Sequence, residues 1–89
     1  MVVGVLKVTL GIEGAYSLKD KRGVVRRLGD RVRNKFNVAV AEVDGHDTYN
    51  RAVLGIAAVA NDGPFVNSVL DKVLDAMERI GAGEADILD

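Results

Sequence analysis

The chain has 89 residues, of which 48% are hydrophobic and 28% are charged, and its formal net charge is −1. This length and composition predict one folded domain over residues 1–89 and exclude an intrinsically disordered chain. There is no cysteine, which excludes disulfides, thiolate metal sites and a cysteine nucleophile. No apolar run approaches the ~18 residues of a membrane-spanning helix, and residues 1–10 include Lys7 and lack a basic segment before the apolar stretch. We therefore expect no membrane segment, no signal peptide and a cytoplasmic protein.

The start of the chain predicts a strand followed by a helix. Residues 2–12 are rich in valine and leucine and are bounded by Gly11 and Gly14, which is typical of a strand. Ser17 is a suitable N-cap for the segment that follows. Apolar residues then recur with the spacing of one helix face, at Leu18, Val25, Leu28, Val32 and Phe36. A helix from Ser17 to Phe36 is therefore expected.

Three further strands are predicted. Residues 38–43 form a short strand, and residues 44–47, with the sequence Asp-Gly-His-Asp, have turn chemistry. The apolar residues 49–60 form the next strand, and residues 85–88 offer a short strand at the end of the chain.

A second helix is predicted between the last two strands. Pro64 marks its start, since proline is favoured in the first helical turn, and Gly81 and Gly83 mark its end. Its apolar face consists of Val66, Val69, Leu70, Val73, Met77 and Ile80. The order strand, helix, strand, strand, helix, strand predicts an α+β fold. The expected architecture is the ferredoxin-like βαββαβ plait, a four-stranded antiparallel sheet with two helices on one face.

The first helix concentrates the positive charge of the chain. Residues 17–36 contain eight of the twelve basic residues and two acidic ones, a formal charge of +6, whereas the remainder of the chain carries −7. The candidate nucleic-acid-binding residues on this helix are Lys19, Arg22, Arg26, Arg27, Arg31 and Arg33. Cations in this arrangement neutralise phosphates without reading sequence, which makes binding salt-dependent.

Two interpretations of the same helix that involve no binding function remain open. A solvated helix with (i, i+4) pairs, such as Arg26 with Asp30 or Asp30 with Asn34, accounts for the charges equally well. The second helix also carries acidic residues on its outward face that could neutralise the first helix, namely Asp71, Asp75 and Glu78.

The predicted sheet is apolar on both faces. In residues 2–12 and 49–60, successive side chains point to opposite faces of the sheet, and most of them are apolar on both faces. The two helices can cover only one of these faces. The uncovered positions give a candidate dimer interface at Val3, Val5, Val53, Ala57 and Val59. An open apolar face implies a partner, and a second copy of the chain is the simplest one, so we expect a homodimer. The alternative is that valine is present only because it favours strands.

Catalytic and cofactor sites are not indicated. His46, the sole histidine, has acidic neighbours, but residues 44–47 are better explained as a turn than as a metal site. None of the four aromatic residues lies in the middle of the first or third strand, which argues against base stacking on the sheet. We expect no catalytic residue, no metal and no cofactor, and hence no enzyme.

Six segments together resemble one family. They are Val2-Val3-Gly4-Val5-Leu6, Ser17-Leu18-Lys19-Asp20-Lys21-Arg22, Arg33-Asn34-Lys35-Phe36-Asn37-Val38, Ala41-Glu42-Val43-Asp44, Arg51-Ala52-Val53-Leu54-Gly55 and Val69-Leu70-Asp71-Lys72-Val73. This combination, which covers nearly the whole chain, resembles the small bacterial YlxP-like family, catalogued as a domain of unknown function. The resemblance implies a ferredoxin-like fold and no established catalytic residues. Genes of that family are often found among those for translation and ribosome-maturation factors, which implies a role near ribosomal RNA.

Two functions are therefore expected from the sequence. The first is a non-enzymatic accessory factor that contacts RNA or the ribosome through its basic first helix. The alternative is a dimeric regulatory module that binds a small ligand at the dimer interface or near residues 11–16, with no role in nucleic-acid binding.

Overall fold

The order of strands and helices in the computed structural model, which describes residues 1–81 and 84–88, is the predicted one. The elements are β1 (Val2–Ile12), α1 (Leu18–Lys35), β2 (Ala39–Asp44), β3 (Arg51–Ala60), α2 (Gly63–Ile80) and β4 (Ala85–Ile87). The strands form one sheet in the order β2-β3-β1-β4, and every neighbouring pair is antiparallel. The fold is the ferredoxin-like plait expected from the sequence. Neither helix of the described chain is long and apolar enough to cross a membrane.

The two central strands form the longest pairing in the sheet. β1 and β3 pair in unbroken register from Val2 opposite Ala60 to Gly11 opposite Arg51. β2 pairs with the other side of β3, and its register shifts between Glu42 and Asp44, so Val43 forms a bulge. β4 is a short edge strand, which pairs with β1 over three residues only.

The core lies between the sheet and the two helices. Alternate residues of β1 and β3 point towards the helices, as predicted, and are almost completely buried. The strand residues of the core are Val8, Leu10, Ile12, Ala52, Leu54, Ile56, Ala58 and, on β4, Ala85. The helix residues that pack on them include Val24, Leu28, Val32, Val66, Leu70, Val73 and Met77. Full burial of each large aliphatic side chain contributes about 1.5–3 kcal/mol, so this layer supplies most of the driving force for folding.

The buried face of α1 differs from the predicted stripe. Leu28 and Val32 are buried as expected, but Val24 is buried in place of Val25, and Lys21 completes the face. Leu18, Val25 and Phe36 of the predicted stripe are half-buried at its margins. The predicted stripe had no apolar residue between Leu18 and Val25. In the structure Lys21 lies in that interval, and the buried positions 21, 24, 28 and 32 follow the regular spacing of one helix face.

Both helices begin at caps that the sequence indicates. Ser17 accepts a hydrogen bond from the backbone N–H of Asp20 at 3.1 Å, and the side chain of Asp20 accepts one from the N–H of Tyr16, the residue before the cap, at 3.2 Å. These bonds satisfy backbone donors that have no partner within the helix. Asp62 caps α2 by accepting from the N–H of Phe65 at 3.4 Å, and Pro64 lies in the first turn.

The buried face of α2 agrees with the predicted stripe, although Val69 and Ile80 are only half-buried and Ala76 is added. The helix ends at Ile80, where the N–H of Gly81 donates to the carbonyl of Met77 at 2.9 Å. Gly83, the second expected stop signal, lies outside the described residues.

Candidate nucleic-acid interface

Lys21 is the one cation of α1 that points into the protein. Its side chain is 1% exposed, and its Nζ lies 2.9 Å from Oε2 of Glu42 on β2. The same ammonium donates hydrogen bonds to the carbonyl of Gly45 at 2.7 Å and to those of His46 and Arg51 at 3.4 Å. Charges this deeply buried are tolerated when they are paired and hydrogen-bonded. Lys21 therefore joins α1 to the β2–β3 connection and contributes nothing to the basic surface.

The β2–β3 connection is a tight turn held by Lys21. Gly45 has φ +75°, a left-handed conformation that favours glycine, and its carbonyl also accepts from the N–H of Thr48 at 3.1 Å. Its own N–H donates to Oδ1 of Asp44 at 2.8 Å. His46 is exposed in this turn. Within residues 1–81 and 84–88, no group of three potential ligands among His, Cys, Asp and Glu is arranged to hold a metal ion.

The six candidate binding residues of α1 are all exposed, and they divide into two flanks. Arg22, Arg26 and Arg33 line a groove of about 300 Å³ between α1 and β2. Arg27 and Arg31 lie on the other side of the helix, beside the end of α2 and the start of β4. Because Lys19 is one helical turn before Arg22 and on the same side of the helical wheel, we assign it to the first flank. We call Lys19, Arg22, Arg26 and Arg33 the β2 flank, and Arg27 and Arg31 the α2 flank.

The ion pairs of these cations differ from the expected ones. Arg26 does not pair with Asp30; instead Nη1 of Arg33 lies 3.0 Å from Oδ1 of Asp30, an (i, i+3) pair. Arg27 Nη2 lies 3.5 Å from Oε1 of Glu84, and both side chains are more than half exposed. Such surface pairs contribute about 0–1 kcal/mol, so a phosphate can displace the carboxylate at little cost.

The acidic residues of α2 make no direct ion pair with α1. In the part of the chain that the structure describes, no salt bridge joins α1 to Asp71, Asp75 or Glu78. The exposed positive charge of α1 therefore remains largely uncompensated by its own chain.

The groove beside α1 has an apolar floor and a basic rim. Val25, Val40 and Leu54 are among the residues that line it, together with the guanidinium groups of the β2 flank. At ~1.5 Å per residue, the rim from Arg22 to Arg33 extends over ~16 Å, which is long enough to follow several consecutive phosphates of one strand. The groove also contains two carboxylates, Asp30, which pairs with Arg33, and Glu42, which pairs with Lys21. This arrangement can bind and orient a polyanion.

The open face of the sheet is apolar, as the sequence predicted. Val3, Val5 and Val59 are 55%, 71% and 60% exposed, whereas Val53, from the same candidate set, is only 9% exposed. Val53 has a neighbouring strand on each side, whereas β2 does not extend as far as Val59. Val53 therefore offers little surface to a partner. Ala57, the fifth candidate, is half-buried between β1 and β2.

The aromatic residues lie outside the sheet. Tyr16 precedes α1, Phe36 follows it, Tyr49 lies in the β2–β3 connection and Phe65 lies in α2. Tyr16 is 86% exposed and Tyr49 is 48% exposed, but neither projects from a strand. The platform of strand aromatics on which RNA-recognition sheets stack bases is therefore not built into this sheet.

Comparison with known families identifies the family of this chain. The family model described as "Protein of unknown function (DUF503)" matches residues 3–89. The chain belongs to this family. A Bacillus subtilis (strain 168) relative, described as "Uncharacterized protein YlxP", is 44% identical over 63 residues, which cover 71% of this chain and 68% of the relative. The YlxP-like resemblance inferred from the sequence is thus confirmed. Since neither description states an activity, the function has to be inferred from the geometry.

Proposed function

We propose that this protein is a non-enzymatic accessory factor that contacts RNA, including ribosomal RNA, through the β2 flank of α1. The observation that carries the proposal is the alignment of Arg22, Arg26 and Arg33 along one groove beside the sheet. Guanidinium groups are suited to this task because they present several donors in a planar array that matches phosphate oxygens. Contacts of this kind position a nucleic acid without reading its sequence.

The charge distribution supports the same proposal. The exposed cations of α1 are not paired with the acids of α2, and the two ion pairs made by Arg27 and Arg33 are at the surface and weak. The overall charge of −1 conceals this concentration of positive charge, since most acidic residues lie elsewhere in the chain. A polyanion that approaches α1 therefore meets a locally positive surface.

The salt dependence of binding can be estimated from the β2 flank. Four phosphate contacts would give a slope of roughly −3 to −3.5 in a plot of log affinity against log salt. Raising the salt concentration from ~50 to ~200 mM should then weaken binding roughly 50- to 150-fold. Affinity should be similar for RNAs of different sequence but comparable structure, because the contacts are to the backbone.

The decisive experiment compares two charge reversals of equal size. Arg22→Glu with Arg26→Glu alters the β2 flank, and Arg27→Glu with Arg31→Glu alters the α2 flank. Binding to a fluorescent ribosomal RNA fragment and to purified ribosomal subunits should be measured by anisotropy and by co-sedimentation over a range of salt. We expect the first variant to lose binding, with a salt slope smaller by about 2, and the second to bind more nearly like the unaltered protein.

Two outcomes would overturn the proposal. One is that the unaltered protein shows no salt-dependent affinity for any RNA or ribosomal subunit. The other is that both double variants bind as tightly as the unaltered protein. In either case the small-ligand alternative becomes the leading function, and a metabolite screen by thermal stabilisation would address it, since a ligand at a hundredfold excess over its Kd adds about 2.7 kcal/mol.

A further inference from the structure

The open face of the sheet carries a second binding surface, independent of α1. None of the described elements covers this face. Near one end of the β1–β3 pairing, Val3 lies opposite Val59 and Val5 opposite Ala57, and the next row of this face pairs Lys7 with Gly55. Val5 is the most exposed apolar side chain of these rows, at 71%. It therefore projects from the sheet as an isolated apolar knob.

A hollow lies beside that knob. It has a volume of about 280 Å³, and it is lined on the open face by Val5, Ala39, Ala41, Val43, Gly55 and Ala57. Gly55, at the bottom of the hollow, has no side chain, and the side chain of Val43 from the bulge in β2 lies close to it. A Cβ atom at Gly55 would lie 3.0 Å from Cγ1 of Val43. The hollow is thus a shaped feature of the sheet with apolar walls.

We propose that two copies of this chain form a dimer by packing these sheet faces against each other, with the Val5 of each protomer in the hollow of the other. A two-fold axis that runs along the strands between β1 and β3 brings each Val5 opposite the Ala57 and Gly55 of the second copy. The knob and the hollow lie side by side on one surface, so one rotation satisfies both contacts. Such self-complementarity is the requirement for a closed two-fold interface.

The edges of the sheet are poorly suited to the same task. Nη2 of Arg33 donates to the carbonyl of Val40 on the edge strand β2 at 2.6 Å, and the bulge between Glu42 and Asp44 interrupts the regular ladder. Bulges and charged side chains on an edge strand hinder pairing with another strand. The opposite edge, β4, has only three residues. The face is therefore favoured over the edges as the place where two copies meet.

The available area suits a weak dimer. The four strands contain 11, 6, 10 and 3 residues, and at ~3.3 Å per residue and ~4.8 Å strand spacing they give a face of roughly 475 Å². A symmetric dimer would bury roughly 950 Å² in total, below the ~1,200–2,000 Å² found in stable interfaces and typical of weak, transient ones. We therefore expect the dimer to dissociate on dilution.

This dimer would place the two basic helices on opposite outer surfaces. Sheets pack ~10 Å apart and a helix layer lies ~10 Å from its sheet, so the two α1 layers would be roughly 30 Å apart and face away from each other. If the proposed RNA contact is correct, each dimer has two separate RNA-binding flanks. The dimer itself does not depend on that function.

The test is the oligomeric state as a function of protein concentration, measured by sedimentation velocity and light scattering. Val5→Asp places a carboxylate in each half of the proposed interface, and it should raise the dimer Kd at least a hundredfold. Ala57→Leu fills the hollow and should also weaken the dimer. Tyr16→Asp, at a residue that is 86% exposed and away from the sheet face, is the control and should leave the Kd unchanged. Circular dichroism would show that each variant remains folded.

The outcomes separate this proposal from the proposed function. A protein that is monomeric up to millimolar concentration, or a dimer that neither Val5→Asp nor Ala57→Leu weakens, would overturn the sheet-face dimer. The Arg22→Glu, Arg26→Glu variant should dimerise like the unaltered protein, because its changes lie on α1. Loss of RNA binding in that variant, together with an unchanged dimer Kd, would show that the two surfaces are independent.

Discussion

Replacing Lys21 by methionine should destabilise the fold more than any other single charge removal on α1. Methionine keeps most of the aliphatic stem and has a helix propensity similar to that of lysine, so packing and helix formation change little. The substitution removes the ammonium that lies 2.9 Å from Glu42 and 2.7 Å from the carbonyl of Gly45. The carboxylate of Glu42 would then remain in a largely buried position with no ion-pair partner.

The size of the effect follows from that unpaired carboxylate. Removing one partner of a buried ion pair costs about 3–5 kcal/mol, since the remaining charge is left without compensation. Glu42 keeps 15% of its side chain exposed, so water relieves part of the penalty and we expect the lower end, about 3 kcal/mol. A domain of this size has a total free energy of unfolding of ~4–13 kcal/mol, and the loss should lower Tm by at least ~12 °C.

Urea unfolding followed by circular dichroism measures this difference directly. Arg22→Met is the matched control, because Arg22 is an exposed cation one position along the same helix, and it should change the free energy of unfolding by less than ~0.5 kcal/mol. Glu42→Gln alone should cost about 1–2 kcal/mol, since it removes the ion pair while the ammonium of Lys21 keeps its three backbone carbonyl acceptors. The double variant Lys21→Met, Glu42→Gln should be more stable than the sum of the single effects predicts, because no unpaired charge remains.

A Lys21→Met variant whose free energy of unfolding lies within ~1 kcal/mol of that of the unaltered protein, at the same denaturant m-value, would contradict a stabilising role for Lys21. Simple additivity of the two single substitutions would show that the ion pair contributes nothing measurable.

Two further predictions concern the packing of α2 and a carboxyl pair near β4. Gly4→Ala should destabilise the protein by about 1–3 kcal/mol, measured by urea unfolding, because the new Cβ would overlap Val66 and press on Leu70. Asp86 raises the pKa of Glu13, through a side-chain hydrogen bond and through charge repulsion. Any stability linked to protonation of Glu13 is therefore present at low pH and is lost as the pH rises through the raised pKa. Asp86→Asn should return the pKa of Glu13 towards 4.5 and remove that dependence, as carboxyl NMR titration would show.

The elements of the fold could be predicted closely because their signals are local. Ser17 and Asp62 cap their helices as residue type and position indicate, and the apolar alternation of β1 places Val8 and Leu10 in the core. The open apolar face was likewise visible in the sequence, since Val3 and Val5 alternate with those core residues. Each of these features depends on spacing within one element.

The candidate site could be predicted only in outline. The concentration of cations on α1 was evident from the sequence. The structure, however, removes Lys21 from the exposed set, and the periodicity of the apolar residues gave no reason to expect a buried lysine. The one available signal was the empty position between Leu18 and Val25 in the helix stripe. The pairing of Arg33 with Asp30, in place of the expected Arg26, depends on a rotamer that also reaches the carbonyl of Val40 on β2.

The order of the elements, the helix caps, the two-sided apolar sheet and the basic character of α1 could be predicted from the sequence, because each arises from residues close together in the chain. Which cations are available to a partner depends on contacts that form only in the folded protein. Lys21 is buried and paired with groups that lie at least 21 residues further along the chain, whereas Arg27 stays exposed in a weak surface pair with Glu84, 57 residues away. The fold brings these groups to α1, and local spacing carries no information about which of them arrive there.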